Sequence, residues 1–181
     1  SHSYSYDKSC LQLVNFYEKE SCLKLLFPFI DYPYPWNLEL VTNRFHDLSV
    51  LKILRPGLVQ SIKMSPQGEW GYIDFIEENL VNKSFKIHGW AKILNKHADA
   101  VVLAYKTEEQ NLTVVDIFPT GDIRKDVAQK YGSKYIDSGW SGNIYIKNRL
   151  TKFNICNILA YGFDANKNIF YPLVNFCQKP K

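Results

Sequence analysis

Two cysteines near the end of the sequence, Cys156 and Cys177, constrain the fold more tightly than any other residues. They sit in two strand-like runs, Phe153 to Phe163 and Ile169 to Cys177, joined by Asp164-Ala165-Asn166-Lys167-Asn168. Asn and Asp suit the tight turns that connect antiparallel strands. With Asn166-Lys167 at the tip, Ala165 faces Asn168, Phe163 faces Phe170, Tyr161 faces Pro172 and Leu159 faces Val174. The same register sets Cys156 opposite Cys177. Directly opposed residues have Cβ atoms about 4.5–5.5 Å apart, close enough for a disulfide after modest adjustment. Turn chemistry and cysteine pairing arrive at one register independently. A disulfide at that place implies an oxidising compartment.

The other two cysteines, Cys10 and Cys22, leave two readings open. A straight helix would hold them about 18 Å apart, too far to bridge. A break near Glu20-Ser21 folds the chain back as a helical hairpin and lets them pair. Otherwise they are two buried thiols. No cysteine is close-spaced with another or with a histidine, which argues against zinc.

Between Lys83 and Val174 the sequence reads as strands and turns. The spine is Phe85-Lys86-Ile87-His88-Gly89-Trp90-Ala91-Lys92-Ile93-Leu94, which alternates and then becomes nearly continuously apolar. That pattern predicts a central strand buried on at least one face. Before it, Tyr72 to Ile76 alternates into a charged turn at Glu77-Glu78-Asn79. After it come Ala98 to Tyr105, Leu112 to Phe118 and Asn143 to Ile146, with Ser138-Gly139-Trp140-Ser141-Gly142 read as a loop. One short helix interrupts, from a cap at Asp122 to a stop at Gly132, with Val127 and Tyr131 on one face. Six or seven short strands with turns between them predict an antiparallel β-sandwich, Ig-like or jelly-roll-like. The aromatic content of 15% suits such a protein, because broad side chains cover pleated surfaces well.

The N-terminal part reads as helical. Ser9 is a candidate cap for a helix beginning at Cys10, with Asp7 near its positive end. Leu38, Val41, Phe45 and Leu48 recur at helical spacing, and Asp31-Tyr32-Pro33-Tyr34-Pro35-Trp36 is a stiff extended connector. A helical subdomain over 1–66 and a β-sandwich domain over 67–181 follow from this division.

Five segments occur in order: Tyr72-Ile73-Asp74, His88-Gly89-Trp90-Ala91, Ala98 to Leu103, Arg124-Lys125-Asp126-Val127-Ala128, and Ser138-Gly139-Trp140-Ser141-Gly142. This order resembles an extracytoplasmic β-sandwich segment attached to bacterial polytopic membrane proteins, including ones similar to glycosyltransferases. The region around Cys10 and Cys22 is similar to the stretch that precedes it there. The resemblance implies a periplasmic or cell-surface location and membrane helices outside this sequence.

Composition narrows the partners. The net charge is +4, but the lysines are scattered and form no phosphate-tracking stripe, so nucleic acid is not an expected partner. No run approaches the length of a membrane span, which leaves a segment outside the sequence as the expected link to a membrane. No phosphate-binding glycine loop, nucleophile elbow or zinc-protease motif is present, and no cofactor, metal or catalytic residue is expected. A carboxylate-pair hydrolase drawn from Asp74, Asp99, Glu77 and Glu78 is the alternative, though their spacing singles none of them out. The candidate ligand-binding residues are Trp140, Trp90, Asp74, Arg124 and Asp126. Trp140 is read either as a hydrophobic plug or as an exposed platform. Arg124 is read as a clamp on a carboxylate such as Asp74, with Asp126 at the helix start. The expected function is a non-enzymatic extracytoplasmic domain that binds a glycan or a neighbouring protein. A purely structural accessory domain is the third reading.

Overall fold

The computed structural model describes residues 4–13, 69–106, 112–145, 154–167 and 169–178. The helical spacing and extended connector expected over 14–66, the domain boundary near 67, and Cys22 all lie outside the described residues. Two four-stranded antiparallel sheets fit the expected β-sandwich. Four strands pair in the order β1-β2-β6-β5: β1 Gly71–Asn79, β2 Ser84–Ala91, β6 Gly139–Tyr145 and β5 Thr120–Asp122. The other four pair as β4-β3-β7-β8: β4 Leu112–Phe118, β3 Ala100–Lys106, β7 Ile158–Asp164 and β8 Ile169–Pro172. Helix α1 covers Tyr4–Gln12 and helix α2 covers Lys125–Tyr131. No helix among the described residues is long and apolar enough to cross a membrane.

Inward-facing residues from both sheets make the main core. Ile73, Phe85, Ile87, Trp140 and Ile144 of the first sheet meet Val101, Leu103, Ile158, Ala160 and Tyr171 of the second. Strand β3 is buried on both faces, which explains its unbroken apolar run. Its outward residues Ala100 and Val102 lie under α1, with Tyr6, Cys10 and Leu13. The Tyr6 hydroxyl also donates to the Ile117 carbonyl at 3.2 Å. The helix begins at Tyr4, earlier than expected, so Ser9 is not a cap. Its hydroxyl donates back to the Ser5 carbonyl at 2.7 Å from inside the helix, a bond that serine makes readily in mid-helix.

The closing hairpin has the expected register. Asp164 pairs with Ile169, Phe163 with Phe170, Gly162 with Tyr171 and Tyr161 with Pro172. The Asp164 carboxylate accepts from the backbone N–H groups of Asn166 and Lys167 at 2.9 and 3.1 Å and so fixes the turn. Cys156 and Cys177 are bonded, with Cα atoms 5.4 Å apart. Cys10 is disulfide-bonded as well, and its expected partner Cys22 is outside the described residues.

The hairpin departs from expectation beyond Leu173. Val174 leaves β7 and pairs in parallel with Tyr72, on the edge of the other sheet. Its N–H donates to the Gly71 carbonyl at 2.9 Å, and its carbonyl accepts from Ile73 N–H at 3.0 Å. The cysteines therefore sit in two short 3-10 turns, Ile155–Asn157 and Phe176–Gln178, and not in extended ladder. Asn175 splices these turns together. Its side-chain amide donates to the carbonyls of Cys156 and Ile158, and its oxygen accepts from Cys177 N–H. A second change of sheet occurs at Pro119, between β4 and β5, a proline that cannot donate to either ladder.

Three boundaries also move. Glu77, Glu78 and Asn79 belong to β1, and the turn follows them. Asp122 ends β5, so α2 starts at Lys125 with Arg124 before it. Gly139 to Gly142 is strand β6 and not a loop. These glycines were misleading because they answer to packing. A Cβ on Gly142 would lie 2.5 Å from the Phe118 ring, and one on Gly89 would lie 1.9 Å from the Tyr72 carbonyl oxygen and 2.9 Å from the Trp140 ring.

Candidate binding surface

The outward face of the first sheet divides into a covered half and an open half. Alternation along β2 sends Phe85, Ile87 and Ala91 into the core and Lys86, His88 and Trp90 outward. Helix α2 and the 3-10 turn Ser133–Tyr135 lie over Trp90. Trp90 therefore packs on the outer side of its sheet and not into the sandwich. Its ring centroid lies 5.6 Å from Tyr72 and 5.5 Å from Tyr131. Val127 and Tyr135 complete the cluster. Lys92 adds a cationic pin: its Nζ is 4.8 Å from the ring centroids of Trp70 and Tyr131 and 5.3 Å from Tyr135. Such contacts each stabilise by roughly 0.5–1 kcal/mol. Burial holds the Lys92 ammonium below the usual lysine range.

Arg124 closes the same half. Its Nη1 donates to Asp74 Oδ2 at 2.6 Å, while Nε and Nη2 donate to the two Asp126 oxygens at 2.8 and 2.6 Å. The forked contact with Asp126 is the bidentate geometry that favours Arg. It is the main reason the guanidinium pKa lies above its ordinary value. The same hydrogen bonds hold the Asp126 carboxyl at about 2. Because this pKa is depressed on folding, the pair stabilises the protein above the ordinary aspartate range and the contribution fades as pH falls toward 2. Asp126 is 65% exposed, so solvent screens most of that effect. Replacing Arg124 by glutamine is expected to cost about 1 kcal/mol at neutral pH. It should also flatten the drop in melting temperature between pH 4 and pH 2. Equal acid sensitivity in the two proteins would contradict this account of the clamp.

The five candidate residues do not share one site. Trp140 is 1% exposed and stacks near Phe118 inside the sandwich, so it is the plug and not the platform. Trp90 lies on the opposite side of the same sheet. Asp74, Arg124 and Asp126 are engaged with one another. The carboxylates of the alternative hydrolase do not converge either. Asp74 is held by Arg124, and Asp99 is 1% exposed with one oxygen 2.6 Å from Lys96 Nζ and the other accepting from Ala165 N–H. Glu77 and Glu78 are neighbours on one strand, so their Cβ bonds leave on opposite sides. Among the described residues no three His, Cys, Asp or Glu gather as a metal set would.

The open half was not anticipated. Beyond the clamp, Phe75 stacks on His88 at 5.2 Å with Phe75 40% exposed. Ser141 donates to Asp122 at 2.9 Å. Further along, a groove of about 400 Å³ opens among Glu77, Glu78, Leu80, Lys86, Asn143 and Tyr145. No short motif announces it, because its residues come from β1, the β1–β2 turn, β2 and β6. The alternation of β2 marks Lys86 as outward-facing, but only the pairing of β2 with β6 brings in Asn143 and Tyr145. No family model matches the chain, and neither a curated protein nor a solved structure does.

Proposed function

We propose that this chain is a non-enzymatic interaction domain of an extracytoplasmic compartment, carried by a membrane protein, and that its partner docks on the open half of the first sheet. The carrying observation is the contrast between the two halves. On the covered half the charged groups are paired and the rings are packed. On the open half the side chains of Glu77, Lys86 and Asn143 make no hydrogen bond or ion pair with the described residues, while Leu80 and Tyr145 are 78% and 67% exposed. Unspent donors and acceptors beside exposed apolar area on one face support its use in binding.

Strand order supports the same reading. The order β1-β2-β6-β5 against β4-β3-β7-β8 corresponds to an Ig-like sandwich, with strands A, B, E and D facing C′, C, F and G. Such sandwiches serve widely as recognition modules on cell surfaces, although fold alone does not assign function. The disulfide departs from the antibody pattern, since it joins the flanks of neighbouring strands and not the two sheets. An oxidised pair favours a compartment outside the reducing cytoplasm.

The test is retention of a partner that depends on this face. The wild-type domain and a Phe75→Ala/Lys86→Glu variant are compared on a glycan array and in pull-downs from membrane extract. The expected result is at least one partner whose retention falls about tenfold in the variant, near 1.4 kcal/mol. Retention indifferent to the variant in both formats would leave a purely structural accessory domain.

A further inference from the structure

We propose that the groove beside the β1–β2 turn is a saccharide site, taking one or two sugar rings with Tyr145 as the stacking platform. This rests on the open half being the binding face and names what binds there.

The strand register builds the site as a grid. Asn79 pairs with Ser84 and Ser84 with Tyr145; Glu77 pairs with Lys86 and Lys86 with Asn143. Adjacent strands lie about 4.8 Å apart, and same-face residues along a strand about 6.7 Å apart. Six side chains therefore span roughly 10 Å by 7 Å, the footprint of one or two pyranose rings. Leu80 and Asn82 add a wall from the turn. That wall is held in place. The Asn79 side-chain oxygen accepts from Val81 and Asn82 N–H at 3.1 and 3.2 Å, and Lys83 takes a positive φ of 49° to complete the turn. A preformed wall reduces the ordering cost of binding.

The lining matches a sugar better than a protein. Protein interfaces place apolar side chains at the centre and polar ones at the rim. Here most of the lining is polar, with Glu77, Asn79, Ser84, Lys86 and Asn143 in the grid, and the apolar groups Leu80 and Tyr145 stand at its turn end. A pyranose has the complementary form, with hydroxyls around its edge and a C–H face that covers an aromatic ring. Glu77 can accept from hydroxyls, Lys86 can donate, and Asn82 and Asn143 can do both. On the outward face Glu77 lies directly opposite Lys86, while Glu78 leaves the strand on the other side, so the grid carries no excess of positive charge; that disfavours phosphate or uronate ligands and admits neutral sugars.

The test is an amide NMR titration of the domain with methyl glycosides of glucose, galactose, mannose, N-acetylglucosamine and glucosamine. At least one is expected to shift the side-chain amides of Asn82 and Asn143 together with Tyr145. Tyr145→Ala should weaken that sugar about tenfold while leaving the remaining spectrum intact. No shift up to roughly 50 mM sugar, well above a millimolar Kd, overturns the proposal. So do shifts indifferent to Tyr145→Ala. If the sugars fail while a protein partner is retained in a Phe75- and Lys86-dependent way, the saccharide site falls and the binding face stands. If both fail, both fall.

Discussion

Trp140→Ala will lower the unfolding free energy by about 3–5 kcal/mol, a large share of what a domain of this size has to lose. The indole fills the space that Gly89 leaves open, 2.9 Å from where a Cβ at that position would stand, and its ring centroid is 6.2 Å from that of Phe118. The surrounding β-sheets are tied by ladder hydrogen bonds and will not collapse fully into the void. The cavity term therefore adds to the lost burial. Urea unfolding followed by far-UV circular dichroism measures the difference. A cost below about 1 kcal/mol would mean that the ring is not the plug described here, since buried tryptophans are rarely removed so cheaply.

Replacing Cys156 and Cys177 together by serine will cost about 3 kcal/mol, from the chain entropy of an unfolded loop with a sequence separation of 21 residues. The double variant is preferred to reduction because Cys10 is also disulfide-bonded and a reductant would open both. The loss should be uneven. Hydrogen exchange is expected to speed up first at Ile73 and Val174, because the bond anchors the segment that crosses to the first sheet. A variant as stable as the parent in urea would show that Asn175 and the two 3-10 turns hold that segment without the sulphurs.

The closing hairpin was legible because two local rules, turn chemistry and a side-chain period of two, fix a register without tertiary help. The two-sided burial of β3 was legible for a similar reason, as an unbroken apolar run. The crossing at Val174 was not, since nothing in Leu173-Val174-Asn175 says that the chain leaves one sheet for the other. The strand at Gly139 to Gly142 read as a loop because glycine has two causes, turn geometry and lack of room, and sequence does not separate them. The side taken by Trp90 depends on where α2 comes to rest, a tertiary fact. Of the candidate residues, the Arg124–Asp74 contact was foreseen from charge and position. The groove was not, because pairing between β2 and β6 assembles it from segments some sixty residues apart.

The parallel contact of Val174 with Tyr72 has a consequence for self-association. A β1 left bare would offer its backbone as a template for a strand from another copy. Here the chain supplies its own blocking residue at Gly71 to Ile73, and the register slips beyond Ile73 before the acidic pair Glu77 and Glu78. Copies brought close together are thereby hindered from pairing edge to edge over Gly71 to Ile73. A copy whose terminal segment has come loose forfeits the protection before the rest of the fold is lost.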